Sequence, residues 1–360
     1  MEILKAFKDP HIARNLLQRI SLFKETVSFM EVCGTHTVAI FRTGIRAGLP
    51  ENIKLVSGPG CPVCVTPAEV IEQAIGLACS ENTVLFCFGD MMRVPGSSDS
   101  LESARASRGA SVKMMYGPLE ALEYAKLNPQ HKVVLFGVGF ETTIPLFASV
   151  IWQAKEEKVK NLYLFSAFKV VPPALKALLS SGDMKVDGFI LPGHVSSIIG
   201  VDAYNFMADK YGISGVVTGF DLVDILRGIV FLLDMQETGT IAIKNEYSRV
   251  VSDKGNKKAL ERIFQVFKTC TANWRGLGEI PGSGLSLRDD FKDFDAEKLI
   301  DFKIEKVIEP VGCKCGEVIK GLCTPLECKL YKVKCKPLSP VGPCMVSSEG
   351  TCAAYYKYGS

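Results

Sequence analysis

Seven short apolar runs, each closed by a glycine or proline turn and followed by a stretch of helical spacing, set the rhythm of the first 240 residues. They are Val27 to Val32, Ile53 to Val56, Thr83 to Phe88, Val133 to Phe136, Leu162 to Phe165, Gly188 to Leu191 and Gly215 to Val217. Runs this short, alternating with helical patterns, predict parallel strands with helices on both faces. The expected fold class is α/β: two similar doubly wound units with mainly parallel sheets flanking a cleft, plus a C-terminal Cys-rich domain. In such sheets ligands gather at the loops leaving the carboxyl ends of the strands.

The two units are expected to be related. Thr37 in Cys33-Gly-Thr-His-Thr37 and Thr143 in Phe140-Glu-Thr-Thr143 lie 106 positions apart, as do Pro67 and Pro173. Phe86 to Asp90 then aligns roughly with Leu191 to Ser196. A repeat at one offset predicts duplicated supersecondary units. The expected organisation is an N-terminal helical segment over 1–19, a first α/β domain over 20–125, a second over 126–240, and a helical and Cys-rich domain over 241–360. Within the last, residues 253–268 look helical and charged, and 274–287 read as a Gly-rich loop. The final 50 residues show little periodicity, so a bound metal centre would supply stabilisation that apolar burial lacks.

The 360 residues are 47% hydrophobic and carry a formal charge of +3. That is ample for real cores. The balanced charge, with no long basic run, argues against nucleic acid as a partner. The first 25 residues contain no apolar core of a signal peptide. Apolar runs such as 133–140 are interrupted before the roughly 18–20 residues a membrane span needs. No membrane association is expected, and the expected location is cytoplasmic. There, clustered cysteines point to metal or redox chemistry rather than structural disulfides.

Thirteen cysteines are present, and seven fall in the last 48 residues: Cys313, Cys315, Cys323, Cys328, Cys335, Cys344 and Cys352. Four thiolates suit zinc or an iron–sulfur cluster. The wide spacings (Cys315, twelve residues, Cys328, six, Cys335, sixteen, Cys352) favour a cluster over paired zinc knuckles. Spacing does not select four ligands from seven, and Cys323 and Cys344 are credible substitutes. Upstream, Cys61-Pro-Val-Cys64 sits in a Gly/Pro turn, where two thiols can close into a reducible disulfide. The plainer reading is two small buried hydrophobes. Cys33 ends a strand and is followed by Gly34, Thr35 and His36, which could orient a thiolate or an anionic ligand. His36 is equally readable as a satisfied structural histidine. Glu141 and His194 occupy related loops of the second repeat and could face the same cleft.

The motifs Glu31-Val-Cys-Gly-Thr-His-Thr37, Gly58-Pro-Gly-Cys-Pro-Val-Cys-Val-Thr-Pro67, Gly139-Phe-Glu-Thr-Thr143, Pro192-Gly-His-Val-Ser196 and Met345-Val-Ser-Ser-Glu-Gly-Thr-Cys352 together resemble the HypD family of hydrogenase maturation factors. The resemblance runs from about residue 10 to the end. It implies assembly of the Fe(CN)2CO centre of nickel–iron hydrogenases, with the small chaperone HypC as partner and HypE as cyanide donor. It implies that Cys33 holds or contacts iron, that Cys61 and Cys64 form a thiol–disulfide couple, and that Cys315, Cys328, Cys335 and Cys352 bind a [4Fe-4S] cluster. Whether such a factor turns over alone, as an enzyme, is left open. Glu141, His36 and His194 are expected to hydrogen-bond the cyanide nitrogens, and Thr35 to supply a hydroxyl beside Cys33. A thiol–disulfide oxidoreductase with a structural metal site, and a zinc-stabilised binding module, are the competing readings.

Overall fold

The computed structural model describes residues 9–359 except 98, 183, 184, 303–306, 308 and 309. The first eight residues of the expected N-terminal segment lie outside the described residues; the helix Pro10–Ser21 follows them. The seven expected strands form within one or two residues of their predicted limits: β1 (Val27–Glu31), β2 (Ile53–Ser57), β3 (Thr83–Cys87), β5 (Lys132–Gly137), β6 (Leu162–Ser166), β7 (Gly188–Pro192) and β8 (Ser214–Thr218). Two three-residue strands, β4 (Val112–Met114) and β9 (Ile243–Asn245), join them at sheet edges.

All pairings in the two main sheets are parallel. The first sheet runs β2-β1-β7-β8-β9 and the second β4-β3-β5-β6. This corrects the boundaries at 20–125 and 126–240. The repeat is visible, because β1 to β4 correspond in order to β5 to β8. However, each repeat places its first two strands in one sheet and its last two in the other. Both units are therefore built from both halves of the chain, with β1 beside β7 and β3 beside β5. Sequence periodicity locates strands but not their long-range neighbours, which is why the exchange escapes it.

Alternation along the strands explains why they are apolar throughout. In the first sheet Phe29, Ile190 and Val216 face a core shared with the helices Pro10–Ser21, Gly34–Arg42 and Leu222–Thr238. Met30, Phe189, Leu191 and Val217 point the other way. In the second sheet Val84, Val133, Leu135 and Leu164 face one core, and Leu85, Val134 and Phe136 face that same opposite side. The two sheets thus share one central core and each covers its outer face with its own helices, the doubly wound pattern.

Residues 267–287 depart from expectation. The Gly-rich stretch is a strand, β11 (Gly278–Leu287), paired antiparallel with β10 (Phe267–Trp274). Its glycines serve the turn: Gly276 and Gly278 adopt φ of 79° and 76°, which side-chain-bearing residues avoid. The Cys-rich tail folds as short helical turns and the helix Thr351–Tyr358. It has no core of its own, since Ile319, Met345 and Tyr355 pack into the central one. No helix among the described residues is long and apolar enough to cross a membrane.

Candidate functional site

The first sheet changes winding direction between β1 and β7, and Cys33 and His194 leave those two strands. A crevice at such a switch point is where open α/β sheets bind ligands. β2 and β8 flank them, so the Cys61–Cys64 turn and Gly219-Phe220 reach the same edge. Glu31, the last residue of β1, is buried, accepts a hydrogen bond from Ser57 Oγ at 2.7 Å and lies 3.7 Å from Arg46, fastening β1 to β2 below the site.

Cys33 precedes the helix Gly34–Arg42 in extended backbone. The Gly34 N–H donates to Gly60 O at 2.9 Å, and a Cβ on Gly60 would lie 2.3 Å from Cys33 N. Only glycine lets the two cysteine loops touch this closely. The Cys33 sulfur accepts from the backbone N–H groups of Thr35 and His36, and the Thr35 hydroxyl oxygen lies within its hydrogen-bond reach. Burial and the nearby Glu349 carboxylate outweigh these donors and push the thiol up to about 11. Thr35 Oγ1 in turn donates to Glu349 Oε1 at 2.7 Å.

His36 is wholly buried, with Nε2 2.9 Å from Gly219 O and 2.8 Å from Thr218 Oγ1. Burial lowers its pKa to about 4, so it is neutral, and the carbonyl partner assigns the proton to Nε2. Its Nδ1 is buried without a hydrogen-bond partner among the described residues. The Phe220 ring lies between two imidazoles, 4.5 Å from His36 and 4.0 Å from His194. His194 is exposed and within electrostatic reach of Glu349. Glu141 leaves β5 at the edge of the other sheet. It accepts the Val171 N–H at 2.9 Å, and burial raises its pKa to about 7. Tyr204, buried and 3.1 Å from Ser196 Oγ, senses both Glu141 and Cys33.

Cys61 and Cys64 are both buried free thiols with sulfurs 2.6 Å apart. The tip of the β10–β11 hairpin holds their turn: Arg275 donates from its backbone to Val65 O at 2.8 Å and from Nε to Thr66 O at 3.0 Å. Cys64 is also hydrogen-bonded to Cys344, and Cys344 to Cys315 and Cys352. Burial, with Cys61 alongside, holds the Cys64 thiol well above the ordinary range, and the contact with Cys315 does the same for Cys344. A narrow cavity of about 10 Å³, near the size of one water, is lined in part by Gly34, Thr37, Cys61, Cys64, Cys344 and Glu349. It joins strand-end loops from the start of the chain to its last 50 residues.

The tail sulfurs gather around Gly342, where a Cβ would lie 2.5 Å from Cys315 Sγ and 3.0 Å from Cys313 Sγ. Cys335 is within electrostatic reach of both, and the Val341 N–H donates to its sulfur at 3.4 Å. Of the four expected ligands, Cys315, Cys335 and Cys352 belong to this group. Cys328 is half-buried and donates to Gly312 O at 3.7 Å, at the residue before Cys313. Cys323 faces elsewhere, 3.8 Å from Glu317 Oε2. Among the described residues no three His, Cys, Asp or Glu side chains close on one point as a single ion requires. A four-iron centre asks for something different, because each thiolate binds its own iron and the sulfurs stand further apart. Buried, clustered thiols with a backbone donor aimed at one sulfur fit that chemistry.

Sequence gives no role to Glu349 or Phe220, and to Cys344 only that of a substitute cluster ligand. Cys344 bridges the two sulfur groups, yet no spacing rule distinguishes it from its neighbours. Glu349 falls within a recognisable motif, Ser-Ser-Glu-Gly, that could have drawn attention to it. Phe220 had only the signal of an aromatic after a strand-ending glycine.

A family model described as the hydrogenase formation hypA family, HypD, matches residues 11–359. The chain is 46% identical over 333 residues to the hydrogenase maturation factor HypD of Escherichia coli K12, covering 91% of this chain and 88% of that protein. It is 42% identical to the factor of the same name from Rhodobacter capsulatus, over 100% of this chain and 98% of that protein. A hydrogenase expression/formation protein, HupD, of Azotobacter chroococcum is 41% identical over 100% of this chain and 97% of its own length. Such similarity along the whole length, together with the geometry of its cysteines, makes this chain a member of the HypD family of hydrogenase maturation factors.

Proposed function

We propose that this protein assembles the Fe(CN)2CO unit of nickel–iron hydrogenases in the cytoplasm, as a redox scaffold acting with HypC and HypE. The observation that carries the reading is the unbroken run of sulfurs from Cys61 through Cys64 and Cys344 to Cys315, beside the lone thiol of Cys33.

Release of cyanide from a thiocyanate, R–S–CN, consumes two electrons. The Cys61 and Cys64 thiols supply them: the S–CN bond breaks, a Cys61–Cys64 disulfide forms, and the two thiol protons leave with the R–S and cyanide fragments. The dithiol must then be regenerated. A [4Fe-4S] centre held by Cys315, Cys328, Cys335 and Cys352 would supply electrons singly. Cys344 would hold the tail thiols against the couple, since its sulfur contacts both the tail group and Cys64. Cys33 receives the iron cargo, which displaces its proton as thiolate ligands require. Thr35 and the Thr35 and His36 N–H groups orient the sulfur. Neutral His36 fixes Phe220 as an apolar wall, and exposed His194 is available to donate to a cyanide nitrogen. Glu141, in the other sheet, acts through its hold on Val171.

The test is anaerobic co-purification with HypC followed by infrared spectroscopy. Bands for bound cyanide and carbon monoxide are expected in the complex and absent after Cys33→Ala. A Cys33→Ala protein that still matures hydrogenase would overturn the reading in favour of a plain thiol–disulfide oxidoreductase.

A further inference from the structure

We propose that the loop from Cys328 to Leu338 is the docking surface for a small acidic protein that carries one electron at a time. The inference rests on the reading of the tail thiols as a redox centre, and adds the partner that feeds it.

Four lysines and no acidic residue lie between Cys328 and Leu338. Lys329, Lys332, Lys334 and Lys336 are all exposed. They flank two expected ligands directly: Lys329 follows Cys328, and Lys334 and Lys336 bracket the buried Cys335. Among them stand two exposed apolar side chains, Val333 at 68% and Leu338 at 95% exposure. A charged rim around a small apolar centre is the anatomy of a transient protein interface.

The loop is fixed rather than loose. Lys334 and Cys335 N–H groups both donate to Leu330 O, at 3.0 and 2.8 Å. Lys336 and Ser339 exchange backbone hydrogen bonds, and Arg93 donates to Pro337 O at 2.6 Å. Tyr331 is buried beneath. Lys332 adopts φ 60°, a left-handed conformation that costs any side chain bearing a Cβ. Glycine would sit there freely, so the strained lysine presents its charge at the tip of the turn at a cost to the fold. Its ammonium stays near the Tyr331 and Tyr356 rings, 5.6 and 6.0 Å from their centroids. Charge complementarity therefore selects an acidic partner, and the position beside Cys328 and Cys335 selects one that delivers electrons.

The probe is a reduced, acidic flavodoxin-type flavoprotein, mixed anaerobically with the reconstituted full-length protein in a stopped-flow instrument. Its semiquinone signal and the visible bleaching of the protein report electron transfer. The second-order rate is expected to fall about tenfold as salt is raised, as steered encounters do. Lys332→Gly with Lys334→Glu is expected to slow it about tenfold at low salt, with dithionite reduction unchanged. Lys332→Gly alone is expected to raise thermal stability while slowing the carrier, an opposition that damage to the fold cannot produce. Carrier rates indifferent to salt and to both variants would overturn the proposal, as would preferential binding of the loop to anionic phospholipid vesicles. If dithionite fails to bleach the wild type, the redox-centre reading fails instead. Calorimetry of flavodoxin binding then decides docking by itself: binding lost in the variants supports it, and no binding by the wild type refutes it.

Discussion

At the scale of single residues, the site is controlled by side chains kept in their neutral forms. Cys33 is held up to about 11 in part by Glu349. Glu349→Gln is expected to lower that value and to speed alkylation of Cys33 at pH 8 several-fold, measured by mass spectrometry of the labelled peptide. Glu141 gives a pH signature. Its folded pKa of about 7 lies above that of an unfolded glutamate, so its contribution is complete below about pH 4.5 and is lost as pH rises through 7. The difference is about 3 kcal/mol at most. Glu141→Gln should flatten the loss, and urea titrations at pH 5 and pH 8 would detect it. Much at this scale was legible beforehand: Cys33, Cys61 and Cys64 announce themselves by type and turn. His36 is a buried neutral group as well as a neighbour of Cys33, so its two readings are compatible. Cys344 was readable only as a substitute cluster ligand, because its place between the two groups comes from which sulfurs it touches.

At the scale of elements, the loops matter more than the strands that aim them. Gly60 sits against the Cys33 backbone, with Cα 2.4 Å from the place a Cβ would occupy. Gly60→Ala must separate the two cysteine loops. It is expected to destabilise the protein by about 2 kcal/mol or more and to abolish hydrogenase maturation, tested by urea unfolding and by complementation of a deletion strain. The seven strands were readable because glycine and proline punctuate each one. β4 and β9 were not, since three residues carry no periodicity. β11 was masked by glycines that the hairpin turn and its close pairing require.

At the scale of the whole molecule, the tail is a strap across both sheet edges. Ser347 donates to Asp90 Oδ2 at 3.1 Å beside the second sheet, and Thr35 reaches Glu349 beside the first. Cys335→Ala is expected to remove the brown colour of anaerobically purified protein and to lower its melting temperature. Cys323→Ala, whose sulfur faces Glu317, should leave both unchanged. Visible spectra and calorimetry on the same samples separate the two outcomes. Sequence showed that thiols gather at two places. It could not show that a chain reversal of more than 250 positions makes them one site.

The exchange of strands between the halves has a consequence for synthesis. On the ribosome, β1 and β2 emerge early, but β1 meets its inner neighbour only when Gly188 to Pro192 has been made. Until then an apolar two-strand ribbon waits with one edge open, a hazard for aggregation. Neither half should form a stable product when expressed alone after a cut near position 125. Co-expressed, the fragments should find each other and restore a single cooperative unfolding transition.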